Sequence, residues 1–336
     1  MSEALKSLSS GALRVTVGGQ PVLEHYAGTT GQTNARPCTT GTRFQIASIS
    51  KQFTAAATLT LVRDKQVAVG DKVAHWFPHG PSGWDAITVH QLLTHTSGLG
   101  QWEDFPEIDV FAKTEDDLFL AAITSHPLIG VPGSRFYYSS PGYWLLAQII
   151  EKAAGCSYSE FLARAVLEPA ELADTFVGSP GQRTNVASGH SDAVPVASYE
   201  LDYTGQGAGD IYSTARDLER WNRSVSGPLL GDSCRAMMFT AHAAAGQSLG
   251  SWAKDDTYGY GWYLSSNVSG MTMYYHSGHN SGFNSFNAWV PNANLSMSIL
   301  TNDDSIDPQT IARTLLTEHP EFLARLISYV RLARSP

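Results

Sequence analysis

After Tyr258 the chain switches from helical spacing to a two-residue hydrophobic period. Residues 260–264, 271–276, 283–290 and 295–301 each read as a strand, separated by Gly, Asn and Pro turns. Four such strands in succession predict an antiparallel sheet. Further partners for it lie at the opposite end of the chain. Residues 13–18 and 22–26 alternate around the turn Gly18-Gly19-Gln20-Pro21, which predicts a hairpin. Between the two ends the pattern is mainly helical, with long loops. Helices are expected from Ser48 to about residue 65, over 87–93 behind a Thr88 cap, and over 115–125. Others are expected over 141–154 with Gly155 as the stop, over 158–166, over 214–221 behind Thr214, and over 308–333. The predicted class is α/β (α+β): one antiparallel sheet flanked by helices, plus a mainly helical lobe. A single unit over 12–336 is expected, with an α/β lobe from 12–65 and 207–336 and a helical lobe from 66–206.

The chain has 336 residues and a formal net charge of -9. That length buries a large core. The acidic balance, without any basic block, excludes nucleic acid and anionic membrane surfaces as expected partners. Cys38, Cys156 and Cys234 are scattered and form no C-x-x-C pair, so neither a zinc site nor a dithiol motif is indicated. No run of about 18 apolar residues occurs. The N-terminal residues lack the apolar core of a leader peptide, so a cytoplasmic protein is expected. The glycosylation patterns at Asn222, Asn267 and Asn294 carry no meaning without export.

The stretch with the most chemistry is Ser48-Ile49-Ser50-Lys51, which opens an Ala-, Leu- and Thr-rich helix. Residues three apart share a helix face, at about 5–6 Å between Cβ atoms, so the Lys51 amine reaches the Ser48 hydroxyl. A serine becomes a nucleophile when a neighbouring base takes its proton. Lysine serves when burial lowers its pKa from about 10.4. The competing reading is a capping serine followed by a surface lysine. Tyr138 precedes a helix and offers a phenolate base or a proton relay; the alternative is an aromatic packing corner. His276 is a donor for a substrate carboxylate or carbonyl, or else a structural histidine. Gly278 permits close approach of substrate, and the His279 N–H is placed as an oxyanion donor. Gly246-Gln247-Ser248-Leu249-Gly250 matches a nucleophile elbow but lacks the strand before and the helix after. Gly205-Gln206-Gly207-Ala208-Gly209 lacks the setting of a dinucleotide site.

Taken together, these stretches resemble the serine β-lactamase and penicillin-binding-protein superfamily, in its class C-like branch of D,D-carboxypeptidases, D-aminopeptidases, esterases and transacylases. Beside Ser48-x-x-Lys51, the chain has Asp71-Lys72-Val73 with Pro78, and Ile87-Thr88-Val89-His90-Gln91-Leu92-Leu93-Thr94-His95-Thr96-Ser97-Gly98-Leu99. It also has Pro132-Gly133 with Phe136-x-Tyr138-Ser139, Tyr258-Gly259-Tyr260-Gly261-Trp262, and His276-x-Gly278 with Gly282-Phe283. The resemblance implies Ser48 as the acylated nucleophile, Lys51 as its proton acceptor and Tyr138 as second base or relay. The backbone N–H groups of Ser48 and His279 would form the oxyanion hole. His276 stands where the family has lysine and would shape substrate recognition. Ser140 replaces the asparagine of the family's Tyr-x-Asn, which puts the contact to substrate amide and lysine in question.

The expected activity is a serine acyl-enzyme hydrolase or acyltransferase acting on a small ester or amide, without metal or organic cofactor. Two alternatives stand beside it. One is an ATP-independent transacylase in which an amine accepts the acyl group. The other is an inactive binding protein on the same scaffold. Oligomeric state is not read from the sequence.

Overall fold

The computed structural model describes residues 3–31, 35–81, 83–203, 205–248, 250–268 and 270–318. An antiparallel sheet of eight strands forms its centre. In chain order these are β1 Gly11–Val17, β2 Gln20–Ala27, β3 Ala243–Ala244, β4 Thr257–Tyr258, β5 Tyr263–Val268, β6 Met271–Asn280, β7 Phe283–Val290 and β8 Leu295–Thr301. Their spatial order is β2-β1-β8-β7-β6-β5-β4-β3. The first hairpin therefore joins the last strand, with Leu13 opposite Ile299 and Val15 opposite Met297. Gly18 and Gly19 both take positive φ, 59° and 77°, the turn whose twist matches that of the paired strands.

Four helices position the site: α1 Ser50–Arg63, α2 Ser140–Ala154, α3 Ala215–Ser226 and α4 Pro308–Glu318. One sheet face buries Leu13, Val15, Met297 and Ile299 against Ile311, Ala312 and Leu315 of α4. The other face turns Ala12 and Leu300 into a core shared with α1, α2 and α3. Cover on both faces explains why every residue of β8 is buried rather than every second one. Phe53 of α1 stacks on Trp221 of α3 at 4.1 Å. Beside them Gln52 Oε1 accepts from Trp221 Nε1 at 3.0 Å and from Asn287 Nδ2 at 3.1 Å, which ties α1 to α3 and to β7.

Local signals act as read. Thr88 and Gln91 form a reciprocal cap, and Thr214 accepts from the Asp217 N–H. Ser139 caps α2, which carries Pro in its first turn and ends at left-handed Gly155, φ 68°.

Several expectations are corrected. Ser48 lies in a 3-10 turn, Ala47–Ile49, and the α-helix starts at Ser50. The strand expected at 260–264 starts at Tyr263. The strand expected to stop at 276 runs to Asn280, so Gly278 and His279 belong to β6 and not to a turn. The helix expected over 158–166 is α-helical only to Leu162 and widens into a π turn over Ala163–Leu167. A second sheet of two- and three-residue strands, Phe44–Gln45, Ile211–Ser213 and Phe176–Val177, went unread. The part of the expected C-terminal helix beyond 318 lies outside the described residues.

Candidate active site

The site starts from a backbone turn. Ala47 takes φ 48° in front of Ser48, a left-handed conformation that costs a non-glycine residue about 1–3 kcal/mol unless its surroundings hold it. They do hold it. Ile46 N–H donates to Ile211 O at 2.9 Å, and Ser285 Oγ donates to Ile46 O at 2.7 Å. Ala47 and Ile49 are fully buried, whereas Ser48 between them is partly open to a cavity of about 340 Å³.

α1 is buried on nearly every side, and Lys51 lies inside it with no exposed surface. Its Nζ lies 3.1 Å from Ser48 Oγ, 3.2 Å from Ser140 Oγ and 2.8 Å from Ala208 O. A neutral amine fits this set: two N–H bonds go to Ser140 Oγ and Ala208 O, and the lone pair faces the Ser48 hydroxyl. Burial pushes the Lys51 pKa down to about 7, against the opposing field of Asp210. The competing reading, a surface lysine behind a capping serine, is excluded.

The Tyr138 phenol is influenced by the Ser48 side chain, and its ring centroid lies 5.0 Å from Lys51 Nζ. Burial drives its phenol well above the ordinary value, the opposite of the depression a phenolate base needs. Tyr138 is thus a neutral O–H group, suited to relay a proton. Behind it stands His95, fully buried, with its ring 4.3 Å from that of Tyr138. His95 Nδ1 accepts from Ser139 N–H at 3.1 Å, and burial holds the imidazole neutral. The sequence reading gave His95 no role, although it belongs to the His-Thr-Ser-Gly-Leu stretch.

Ser140 keeps the contact to the lysine despite its short side chain. Its N–H donates to Gln101 Oε1 at 2.7 Å, and Gln101 lines the cavity. A carboxamide from another loop therefore stands beside the position where the family pattern has asparagine. This too was missed.

His276 requires the largest revision. It lines the cavity but is 1% exposed. Nδ1–H donates to Ser277 O at 2.6 Å, and Nε2 accepts from Tyr258 Oη at 3.0 Å. Burial, and then the Lys51 charge, lower its pKa to about 3. Both nitrogens are taken by the protein, so His276 is not the substrate donor expected of it. Gly278 also lines the cavity, yet a Cβ there would point at the protein, 2.4 Å from Ile46 O and 3.0 Å from Ala47 Cβ. His279 turns its exposed ring to Asn284, with Nδ1 2.8 Å from Oδ1. The pairing of β5 to β6 reaches only Tyr263–Tyr275 on this side. Among the described residues, 276–280 have no strand beyond them there, and this edge packs on the turn that carries Ser48.

Of the other serine motif Gly250 lines the cavity, but Ser248 does not. Ser248 sits in the loop between β3 and β4, 3.4 Å from Tyr263 Oη. Among the described residues no group of three or more His, Cys, Asp or Glu side chains is placed to hold a metal ion, and no helix is long and apolar enough to cross a membrane.

Comparison with known proteins gives the same fold. The chain is 30% identical over 289 residues to penicillin-binding protein 4* of Bacillus subtilis (strain 168), covering 80% of this chain and 62% of that protein. The chain thus spans less than two thirds of the length of that relative. The penicillin-binding protein homologue of Pyrococcus abyssi, an octamer, superposes with TM-score 0.80 at 23% identity, over 92% of this chain and 73% of that one. The D-amino acid amidase of Ochrobactrum anthropi SV3 superposes with TM-score 0.78 at 20% identity, over 99% and 98% of the two chains. The family model described as Beta-lactamase matches residues 2–319. The chain belongs to the Beta-lactamase family, a family of serine hydrolases.

Proposed function

We propose that the protein is an acyl-enzyme hydrolase of small esters or amides. Ser48 is the nucleophile, and the observation that carries the reading is the Lys51 amine, 3.1 Å away and held near neutrality by burial. The Ser48 proton passes to Lys51 Nζ as Oγ attacks the carbonyl carbon. The oxyanion is received by the backbone N–H groups of Ser48 and His279. The phenol of Tyr138 passes its proton to the leaving group, which departs as an alcohol or amine, and takes the proton from Lys51 Nζ in exchange, so that the amine is a free base again for the water step. Water then attacks the acyl-Ser48 carbonyl and releases the acid.

The charge of the cavity narrows the substrate. His276 is neutral, and among the described residues no lysine or arginine lines the cavity, whereas Glu103, Glu200 and Asp307 do. Such a site disfavours a substrate carboxylate and accepts neutral or amine-bearing substrates. An amino-acid amide or ester fits, as does the chemistry named for the amidase of similar fold.

Intact-mass spectrometry after incubation with a fluorophosphonate, beside Ser48→Ala, tests the reading. One adduct on the wild type and none on the variant is expected. An adduct that persists on Ser48→Ala refutes it. Product analysis with and without an added amine then separates hydrolysis from acyl transfer.

A further inference from the structure

The segment Gly207–Ile211, part of the glycine-rich stretch that matched no nucleotide motif, is fastened to α1 at three points. Gly207 O accepts from Thr54 Oγ1 at 2.6 Å, Ala208 O accepts from Lys51 Nζ at 2.8 Å, and Ile211 N–H donates to Ser50 Oγ at 3.1 Å. Gly209 O accepts from Asn280 Nδ2 at 3.0 Å, which ties the same segment to the end of β6. Gly207 takes φ 71°, and a Cβ there would meet Ala147 Cβ and Tyr143 O of α2 at 2.8 Å. The segment is thus wedged between α1, α2 and the sheet.

Its fold is set from inside by Asp210, which has no exposed surface. Asp210 Oδ2 accepts from the Gly207 N–H at 3.0 Å and closes the turn that presents Ala208 O to the lysine. Oδ1 is buried without a hydrogen-bond partner. A buried, half-satisfied carboxylate costs stability and persists where its charge has a use. The mechanism proposed above does not employ it.

We propose that Asp210 is the positioning residue for the catalytic base: its side chain fixes the turn that holds the Lys51 amine, and its charge opposes the effect of burial on that amine. This rests on the acyl-enzyme reading and deepens it. The groups that act on the pair are known. Asp202 from the preceding loop and Lys51 from α1 act on Asp210, and Asp210 acts on Tyr158, which bonds Thr54. Around Lys51 stand Tyr138, Tyr143, His95 and His276, all neutral; Lys51 and Asp210 are the two that exchange charge. Burial raises Asp210 as it lowers Lys51, and each partner opposes the shift of the other.

The test is the pH dependence of the second-order rate of fluorophosphonate labelling of Ser48, read by intact mass, for wild type, Asp210→Asn and Asp210→Glu. Asparagine keeps an acceptor for Gly207 N–H and removes the charge. Its acid limb should fall by about one pH unit or more, the low end of what an adjacent opposite charge contributes. Glutamate restores the charge and should bring the limb back towards that of the wild type. An Asp210→Asn profile of wild-type shape, at any amplitude, overturns the proposal. Ser48→Ala, run alongside, separates the two layers. Labelling that survives in it sinks the acyl-enzyme reading itself, whereas its loss together with an unshifted Asp210→Asn profile sinks only the role of Asp210.

Discussion

Replacing Gly278 with alanine probes how tightly the nucleophile is clamped. The added Cβ would stand 2.4 Å from Ile46 O and from Ser285 Oγ, and 3.0 Å from Ala47 Cβ. Ordinary contact begins at 3.4 Å, so something retreats by about 1 Å. Ser285 Oγ can rotate, but it then abandons its 2.7 Å hydrogen bond to Ile46 O. Ile46 O is main chain, two residues from Ser48, and its movement carries the turn with it. A misplacement of about 1 Å at a reacting centre costs about 100-fold in rate. Overpacking of this kind costs about 1–3 kcal/mol. With an unfolding entropy of about 2.1 cal/mol/K per residue, that lowers Tm by about 1–4 °C in a chain of 336 residues. Initial rates on a chromogenic ester and a calorimetric Tm on the same preparation read both effects. Unchanged Tm and unchanged kcat/KM in Gly278→Ala would refute the reasoning. So would a raised KM alone at constant Tm, because that pattern belongs to a glycine that serves substrate approach.

Other outcomes follow from the same geometry. Lys51→Met should lower kcat/KM by about 10²–10⁴-fold, the range of a lost general base, as measured by initial rates. Burial lowers the pKa of Lys51 in the folded chain to about 7, against 10.5 for an ordinary lysine, so the folded chain binds fewer protons between these values. Its contribution to stability therefore rises with pH across that window, and a Tm–pH series should lose this slope in Lys51→Met. Tyr138→Phe should slow esters of poor leaving groups more than activated esters, because only the former need the relayed proton; a uniform loss across a leaving-group series would contradict the relay. Among esters matched in size, an amine-bearing acyl group should be turned over faster than a neutral one, and a carboxylate-bearing one slowest. The spread should shrink with added salt and in Glu103→Gln.

Whatever rests on neighbours in sequence could be read from it. Ser48 and Lys51 are three residues apart, so one turn of helix suffices to bring hydroxyl to amine. Thr88, Thr214 and Gly155 announce their helix ends through bonds to residues within four positions. The hairpin and β8 were legible from alternation and turn residues, and their pairing followed from the need of both for partners. What depends on the folded surroundings was not legible. The partner of His276 Nε2 is Tyr258, 18 residues earlier in the chain, and burial with the Lys51 charge lowers the pKa of that imidazole. Asp210 carries no local sign that its charge reaches Lys51. Two-residue strands such as Phe44–Gln45 are too short for any period to show.

The pairing of β1 with β8 also governs when this protein becomes an enzyme. Leu13 must wait for Ile299, and the Ser48 turn must wait for Ser285, so the sheet closes only after residue 299 has left the ribosome. Until then the Lys51 amine is in water, protonated like any surface lysine at about 10.4, and no base stands beside Ser48. Under the proposed mechanism a nascent or unfolded chain therefore carries Ser48 in an unreactive form, and the base arises only with the long-range contacts that bury Lys51.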